Sequence, residues 1–189
     1  REQCITNLPK SHGQRQRRDS IPWASQVKDV SLRWAATVSH KQTLEKLVAY
    51  LREEVPMVRQ FDVRSAGVDA SGLVLEVPLA INFNDKHTAF AGTLASLCTL
   101  SGWAMTSLIC EAAGLKADIA ATHSEITYAR PCTEEKVRAT CAWPADATAA
   151  AFTTALASQG RAELSLFAQV LSRDKVAVRF SGNYIARML

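Results

Sequence analysis

Glycine and proline are scarce in this chain, at 8 and 6 of 189 residues. A fibrous or low-complexity protein needs far more of either. Cysteine occurs five times, at 4, 98, 110, 132 and 141. The count is odd, no CxxC is present, and the spacings match no common zinc pattern. These features argue against a disulfide framework and point to a reducing intracellular compartment, cytoplasmic or mitochondrial. The histidines at 12, 40, 87 and 123 are too scattered to suggest a metal centre. The glycine-rich phosphate loop and the G-x-S-x-G elbow are also missing, so neither nucleotide-loop nor serine-hydrolase chemistry has support. No metal or redox cofactor is expected.

Charge is unevenly placed. Residues 1–40 hold seven Lys and Arg against three Asp and Glu, whereas residues 41–189 hold fifteen of each. The basic excess therefore belongs to the leading segment, and the remainder shows no overall nucleic-acid footprint. The segment 1–40 reads as a basic polar extension, with Arg15, Arg17 and Arg18 clustered and no apolar signal core. It begins with Arg, which suits a processed or trimmed chain. It is expected to be a transit remnant or a docking arm, with Ile21, Trp23, Val30, Leu32 and Trp34 available to a partner.

What is present is a globular composition: 48% hydrophobic, 21% charged, with a mean hydropathy of −0.03. In 41–189, Leu44, Leu47, Val48 and Leu51 recur at helical spacing and predict a helix over 43–52, which Pro56 ends. The run 58–68 is ambiguous but strand-like. Gly72–Leu79 is a clear strand, with Leu73, Leu75, Val77 and Leu79 on one face. From His87 to Cys110 there is no Asp, Glu, Lys or Arg. As a helix this stretch would be ~36 Å long at ~1.5 Å per residue, enough to span a bilayer. Thr, Ser and Gly interrupt it too often for a membrane span, and Trp103 and Met105 suit core packing. It reads as the buried helix of a soluble fold. Alternating runs around 124–130, 137–143, 164–170 and 176–180 predict four strands, with an alanine-rich helix over 147–158 closed by Gly160. Strands on both sides of one uncharged helix imply an antiparallel sheet curled around it.

The segment Asn82-Phe83-Asn84-Asp85-Lys86-His87-Thr88-Ala89-Phe90-Ala91-Gly92-Thr93-Leu94 resembles the N-x-N-D-K-x-T-A-F-x-G-[ST]-L signature of the YiiD-type C-terminal thioesterase family. Ala117-Asp118-Ile119, Ile126-Thr127-Tyr128-Ala129-Arg130-Pro131 and Phe180-Ser181-Gly182-Asn183-Tyr184-Ile185-Ala186 extend the resemblance to about residues 42–187. It implies an α+β hot-dog fold, an antiparallel sheet wrapped around one long central helix, occupying 41–189. It further implies an acyl thioester bound where that helix begins, at a dimer or higher-oligomer interface.

On that resemblance the amides of Ala91 and Gly92 form the oxyanion hole, because the first N–H groups of a helix lack intrahelical partners and carry partial positive charge. Asp85 is the candidate base or nucleophile and Asn84 the candidate orienting group, although Asn-Asp before a helix is equally turn and cap chemistry. Thr88, Phe90 and Ser124 are expected to contact substrate. Related thioesterases carry a histidine-glycine-glycine motif and then an acidic residue; here Phe90-Ala91-Gly92 and Thr99 stand in those places. A threonine hydroxyl is no base near neutral pH without an activating partner. A base must then come from Asp85 or from another protomer, through His123, Ser124 or Glu125. The expected activity is hydrolysis of an acyl-CoA or acyl-carrier-protein thioester. The alternative is a non-catalytic structural or acyl-binding hot-dog subunit of a larger assembly, one that could be mitochondrial.

Overall fold

The computed structural model describes residues 38–189. The basic segment, including Arg15, Trp23 and Trp34, lies outside the described residues, as does Cys4.

Helix α1 spans Val38–Glu54, longer than the predicted 43–52 at both ends. Leu44, Val48 and Leu51 are its buried stripe. Pro56 does what was expected and one thing more. It ends α1 and also opens a short helix α2, Pro56–Phe61, because a first-turn proline needs no N–H and already has helical φ. The ambiguous run 58–68 is thus divided. α2 stops at Asp62, which adopts the left-handed region at φ 54°, and strand β1 begins only at Arg64 and ends at Asp69. Arg52 and Arg64 both pair with the Asp62 carboxylate and lock this corner.

Strand β2, Gly72–Pro78, buries Leu73, Leu75 and Val77 as its alternation requires. The uncharged stretch becomes helix α3, Ala91–Ala112. It is long and apolar enough to cross a membrane, yet 72% of its most apolar window lies inside the fold. Then follow β3 (Ala117–Tyr128), β4 (Lys136–Ala142), helix α4 (Asp146–Gln159), β5 (Arg161–Ser172) and β6 (Lys175–Met188). Gly160 ends α4 at φ 71°, the left-handed cap its sequence position suggested.

The six strands form one antiparallel sheet in the order β1-β2-β4-β5-β6-β3. Its inner face carries Leu75, Val137, Ala139, Leu164, Leu166, Val170 and Phe180 onto α3, all buried. Leu94, Leu97, Met105, Leu108 and Ile109 answer from the helix. Apart from Ala139, each such side chain is worth about 1.5–3 kcal/mol on leaving water. This is the wrapped helix that the hot-dog resemblance implies.

Small residues set the distance between helix and sheet. A Cβ on Gly102 would lie 2.2 Å from the Tyr184 hydroxyl oxygen, so α3 can approach β6 only because that side chain is absent. Four free cysteines, 98, 110, 132 and 141, are core fillers. Burial pushes the Cys98 thiol up to about 12 and those of Cys110 and Cys132 to about 11, which keeps them protonated and unreactive.

Candidate active site at the start of the central helix

The loop between β2 and α3 is built on asparagines. Asn82, 3% exposed, donates from its side-chain amide to the carbonyls of Phe61 and Pro78, at 2.9 and 2.8 Å. Its Oδ1 accepts from the Thr93 hydroxyl at 3.2 Å, and its backbone carbonyl accepts from the Phe90 amide at 2.8 Å. One side chain therefore ties α2, the end of β2 and the first turn of α3 together. The sequence reading singled out Asn84 and Asp85 and passed over Asn82. The signal available was a buried-type position inside the quoted motif.

Asn84 closes the loop on itself. Its Oδ1 accepts from the amides of Lys86 and Thr88, at 2.9 and 3.2 Å, and its Nδ2 donates to the Thr88 hydroxyl at 3.0 Å. This is an Asx turn, and it also occupies Thr88. Within the loop His87 takes the left-handed conformation at φ 56° and stacks on Phe83, with ring centroids 5.2 Å apart. Asp85 lies on the outside of the turn with its side chain 78% exposed and paired to Lys86 at 2.9 Å. The cap reading does not hold: the residue at the helix N-cap is Phe90, and it makes no side-chain cap bond.

The helix therefore starts with free donors. The first intrahelical bond runs from Leu94 N–H to the Phe90 carbonyl. Among the described residues nothing accepts from the amides of Ala91, Gly92 or Thr93. Ala91 is exposed, Gly92 half-buried and Thr93 buried, so the first two can reach an outside ligand. The Phe90 ring lies over Gly92, where an added Cβ would stand 2.4 Å from Phe90 Cε1. Tyr128, at the end of β3, donates from its hydroxyl to the Ala91 carbonyl at 3.1 Å. Partial burial, followed by the nearby Cys98, raises the Tyr128 phenol above its usual range, so it stays a donor. Neither contact was anticipated from the sequence.

Two turns along, Thr99 donates from its hydroxyl to the Ala95 carbonyl at 2.9 Å. Its own carbonyl accepts from Tyr184 at 2.9 Å. Gly92, Ser96, Thr99 and Trp103 leave a half-buried stripe along α3, and no group on it carries charge.

The candidates on β3 divide between the two faces of the sheet. Residues directly opposite in an antiparallel pair share a face. Ser124 pairs with Gly182, Ile126 with Phe180 and Tyr128 with Val178, on the side of α3. His123 pairs with Asn183 and Glu125 with Ser181, on the outer side. There His123 Nε2 stands 3.7 Å from Glu125 Oε1, and both side chains are largely exposed. Within this chain the structure brings Ala91, Gly92, Phe90 and Tyr128 together. Asn84, Thr88 and Asp85 form the adjoining loop, while His123 lies away from it. Among the described residues no group of three or more His, Cys, Asp or Glu is placed to hold a metal ion.

The outer face also bears a groove of about 530 Å³, lined by residues such as Phe167, Gln169, Leu171 and Arg179. It is separated from the helix start by the sheet itself, and it offers no free helix amides.

Comparison with known proteins identifies the family and the fold. The family model described as "Putative thioesterase (yiiD_Cterm)" matches residues 44–188. A Chlorobaculum tepidum protein of unknown function has a solved structure similar to this one at a TM-score of 0.75 and 25% identity, covering 81% of this chain and 100% of its own. A Shewanella oneidensis protein described in the same terms as the family gives 0.70 at 25% identity over 77% and 98%. The E. coli PaaI protein, from a phenylacetic acid degradation operon, shares the fold, at 14% identity and a TM-score of 0.52 over 79% and 95%.

Proposed function

The chain belongs to the YiiD C-terminal thioesterase family, and we propose that it hydrolyses an acyl thioester of coenzyme A or of an acyl carrier protein at the start of α3. The observation that supports this most is the set of unaccepted amides at Ala91 and Gly92, on an accessible helix N-terminus. A thioester carbonyl oxygen set there gains two donors as its negative charge develops. Water attacks the carbonyl carbon, its proton passes to a carboxylate, the C–S bond breaks, and the thiolate leaves to be protonated. Asp85, six residues before Ala91, is the carboxylate of this loop and the proposed acceptor of that proton. Phe90 and Thr88 flank the acyl entry, and Ser124 faces the same side from β3. The site is completed by pairing β3 with a second copy.

A free-thiol release assay over acyl chains of different length tests this. The expected result is release with at least one chain and its loss in Asp85→Asn. No release with any chain would reject hydrolysis.

One observation favours a second reading. The Thr99 hydroxyl is bound to Ala95, and the half-buried stripe of α3 is uncharged. Such a face suits a non-catalytic hot-dog subunit in a larger assembly. Stoichiometric co-purification with a large complex supports that reading, and a free dimer or tetramer with thiol-releasing activity rejects it.

A further inference from the structure

The outer face of the sheet carries apolar side chains that nothing among the described residues covers. On β5, Phe167, Gln169 and Leu171 point away from α3, because the residues that alternate with them, Leu166, Ala168 and Val170, are buried. Phe167 is 49% exposed and Leu171 45%, and both line the groove of about 530 Å³. Gln169 lies between them on the same face. Its Oε1 is buried and accepts no hydrogen bond. A buried acceptor left unmatched is costly, so the groove presents two unmet needs, an apolar cover and a donor.

The chain enters α1 beside this groove. Ser71, in the turn between β1 and β2, and Ala142, at the end of β4, line one side of it. Trp143 follows Ala142, and its indole donates to the Asp69 carbonyl of that same turn at 2.8 Å. The His40 ring, in the first turn of α1, lies 5.7 Å from the Trp143 ring, centroid to centroid. Val38, where the described residues begin, is therefore held close to the groove's edge. Val30, Leu32 and Trp34 precede it in the sequence. Four residues of chain, the step from Val38 to Trp34, reach up to about 14 Å. Neighbouring strands are ~4.8 Å apart. Gln169 sits one strand in from β4, opposite Thr140, and so falls within that reach.

We propose that residues 29–34 dock in the outer groove of their own chain, with Trp34 seated against Phe167 and its indole N–H donated to Gln169 Oε1. Tryptophan joins a large apolar body to a single donor, which is the combination the groove lacks. The groove also carries one charge of each sign, Glu125 and Arg179, and the segment does the same at Asp29 and Arg33. The tether decides for this occupant over a separate peptide. A short linker holds the effective concentration near ~1 mM, so an intrinsic affinity of only ~0.1 mM leaves the segment docked about nine-tenths of the time. The aromatic part of the basic extension is then engaged within the chain and is not offered to a partner. The inference is independent of the chemistry at α3.

Tryptic cleavage after Arg33 in the full chain tests this, because cleavage of a docked segment tracks its released fraction. Phe167→Ser and Leu171→Ser alter exposed side chains and leave the cleaved sequence as it is. Each is expected to speed cleavage after Arg33 up to about tenfold, the protection that nine-tenths docking gives. Cleavage after Arg15, outside the docked residues, is expected to stay the same. An unchanged rate after Arg33 in both variants overturns the proposal. So does protection that grows with protein concentration, which would give the groove to a second copy. A photo-crosslink locates the occupant directly. With p-benzoylphenylalanine in place of Phe167, irradiation of the full chain is expected to join position 167 to residues 29–34, in a product the size of one chain under denaturing conditions. A product the size of two chains, a link elsewhere, or no link overturns the proposal.

Discussion

Tyr184 of β6 lies against Gly102 of α3, and its hydroxyl donates to the Thr99 carbonyl one turn earlier at 2.9 Å. The ring is fully buried and an added Cβ on Gly102 would sit 2.2–2.5 Å from its outer atoms. In an open helix, Gly→Ala stabilises by about 1 kcal/mol through backbone entropy. Here the closed contact wins, because a buried tyrosine cannot swing away. Gly102→Ala is expected to destabilise the protein by about 1–3 kcal/mol, the usual cost of overpacking. Urea unfolding measures it; a gain in midpoint would show that α3 and β6 can separate freely.

Asn82 is the second such dependence. Replacing it by Ala strips the donors from two carbonyls in a buried setting and frees Thr93. The expected loss is about 2–4 kcal/mol, since each buried polar group left unmatched costs about 1–3. Thiol release is expected to fall as well, because the same side chain sets the loop against the first turn of α3. Full stability with full activity would remove Asn82 from its positioning role.

These two residues show what the sequence could convey. The strand alternations and the uncharged stretch 87–110 gave the layers, because burial on one face leaves a period of two and burial all round leaves no charge. Cys98, Cys110 and Gly102 lie inside that uncharged stretch and entered the core with it, whereas Cys132 stands outside any patterned run and carried no such signal. Pro56 conveyed only the stop, since a proline halts one helix and also suits the first turn of another. The helix start was legible as a motif, but the division of labour inside it was not. Asn82, Asn84 and Asp85 are similar residue types whose roles depend on which carbonyls lie within reach. His123 and Ser124 are neighbours in sequence, yet the bulge between Ala121 and His123 and the alternation after it put them on opposite faces.

Acid is expected to loosen the corner at Asp62. The Arg64 hydrogen bond, opposed by partial burial and aided by Arg52, holds the Asp62 carboxyl below its ordinary range. A depressed folded-state value means stability fully present above the unfolded value, about 3.9. It is lost as pH falls through the folded value. Asp62→Asn keeps a residue type that tolerates positive φ and removes the charge. It is expected to be less stable than the unaltered chain at pH 7, by up to about 1 kcal/mol for such a part-exposed pair. The gap is expected to narrow below about pH 4. A gap constant from pH 7 to 2 in denaturant midpoints would contradict this.

At the helix start the expected signal is non-additivity. Gly92→Ala keeps the backbone amide but directs a methyl into the Phe90 ring, 2.4 Å from Cε1. Displacement of the ring or of the first turn is expected to lower kcat/KM about 10- to 100-fold, as small misplacements at a reacting centre do. Phe90→Ala removes the obstacle, so the double variant is expected to recover part of what Gly92→Ala alone loses. Strictly additive losses in a double-mutant cycle would mean the ring moves aside at no cost.

The free edges of the sheet are unlike each other. β1 is six residues long and its register shifts at Gly67, both of which discourage pairing. β3 is twelve residues long, exposed along most of its length, and ends at the tyrosine that touches Ala91. In the pairing proposed above, a second copy joined there would cover the edge and bring its own β3 toward the half-buried stripe of α3. Ser124 faces that side, so in the pairing proposed above Ser124→Lys would add an ammonium group from each copy to the seam. Like charges so placed are expected to weaken association about 10- to 100-fold. Sedimentation velocity is expected to show a smaller species than the unaltered chain at equal concentration, and thiol release is expected to fall with it. Association and activity that both survive the lysine would mean that the protomers meet elsewhere and that one copy of α3 carries the site alone.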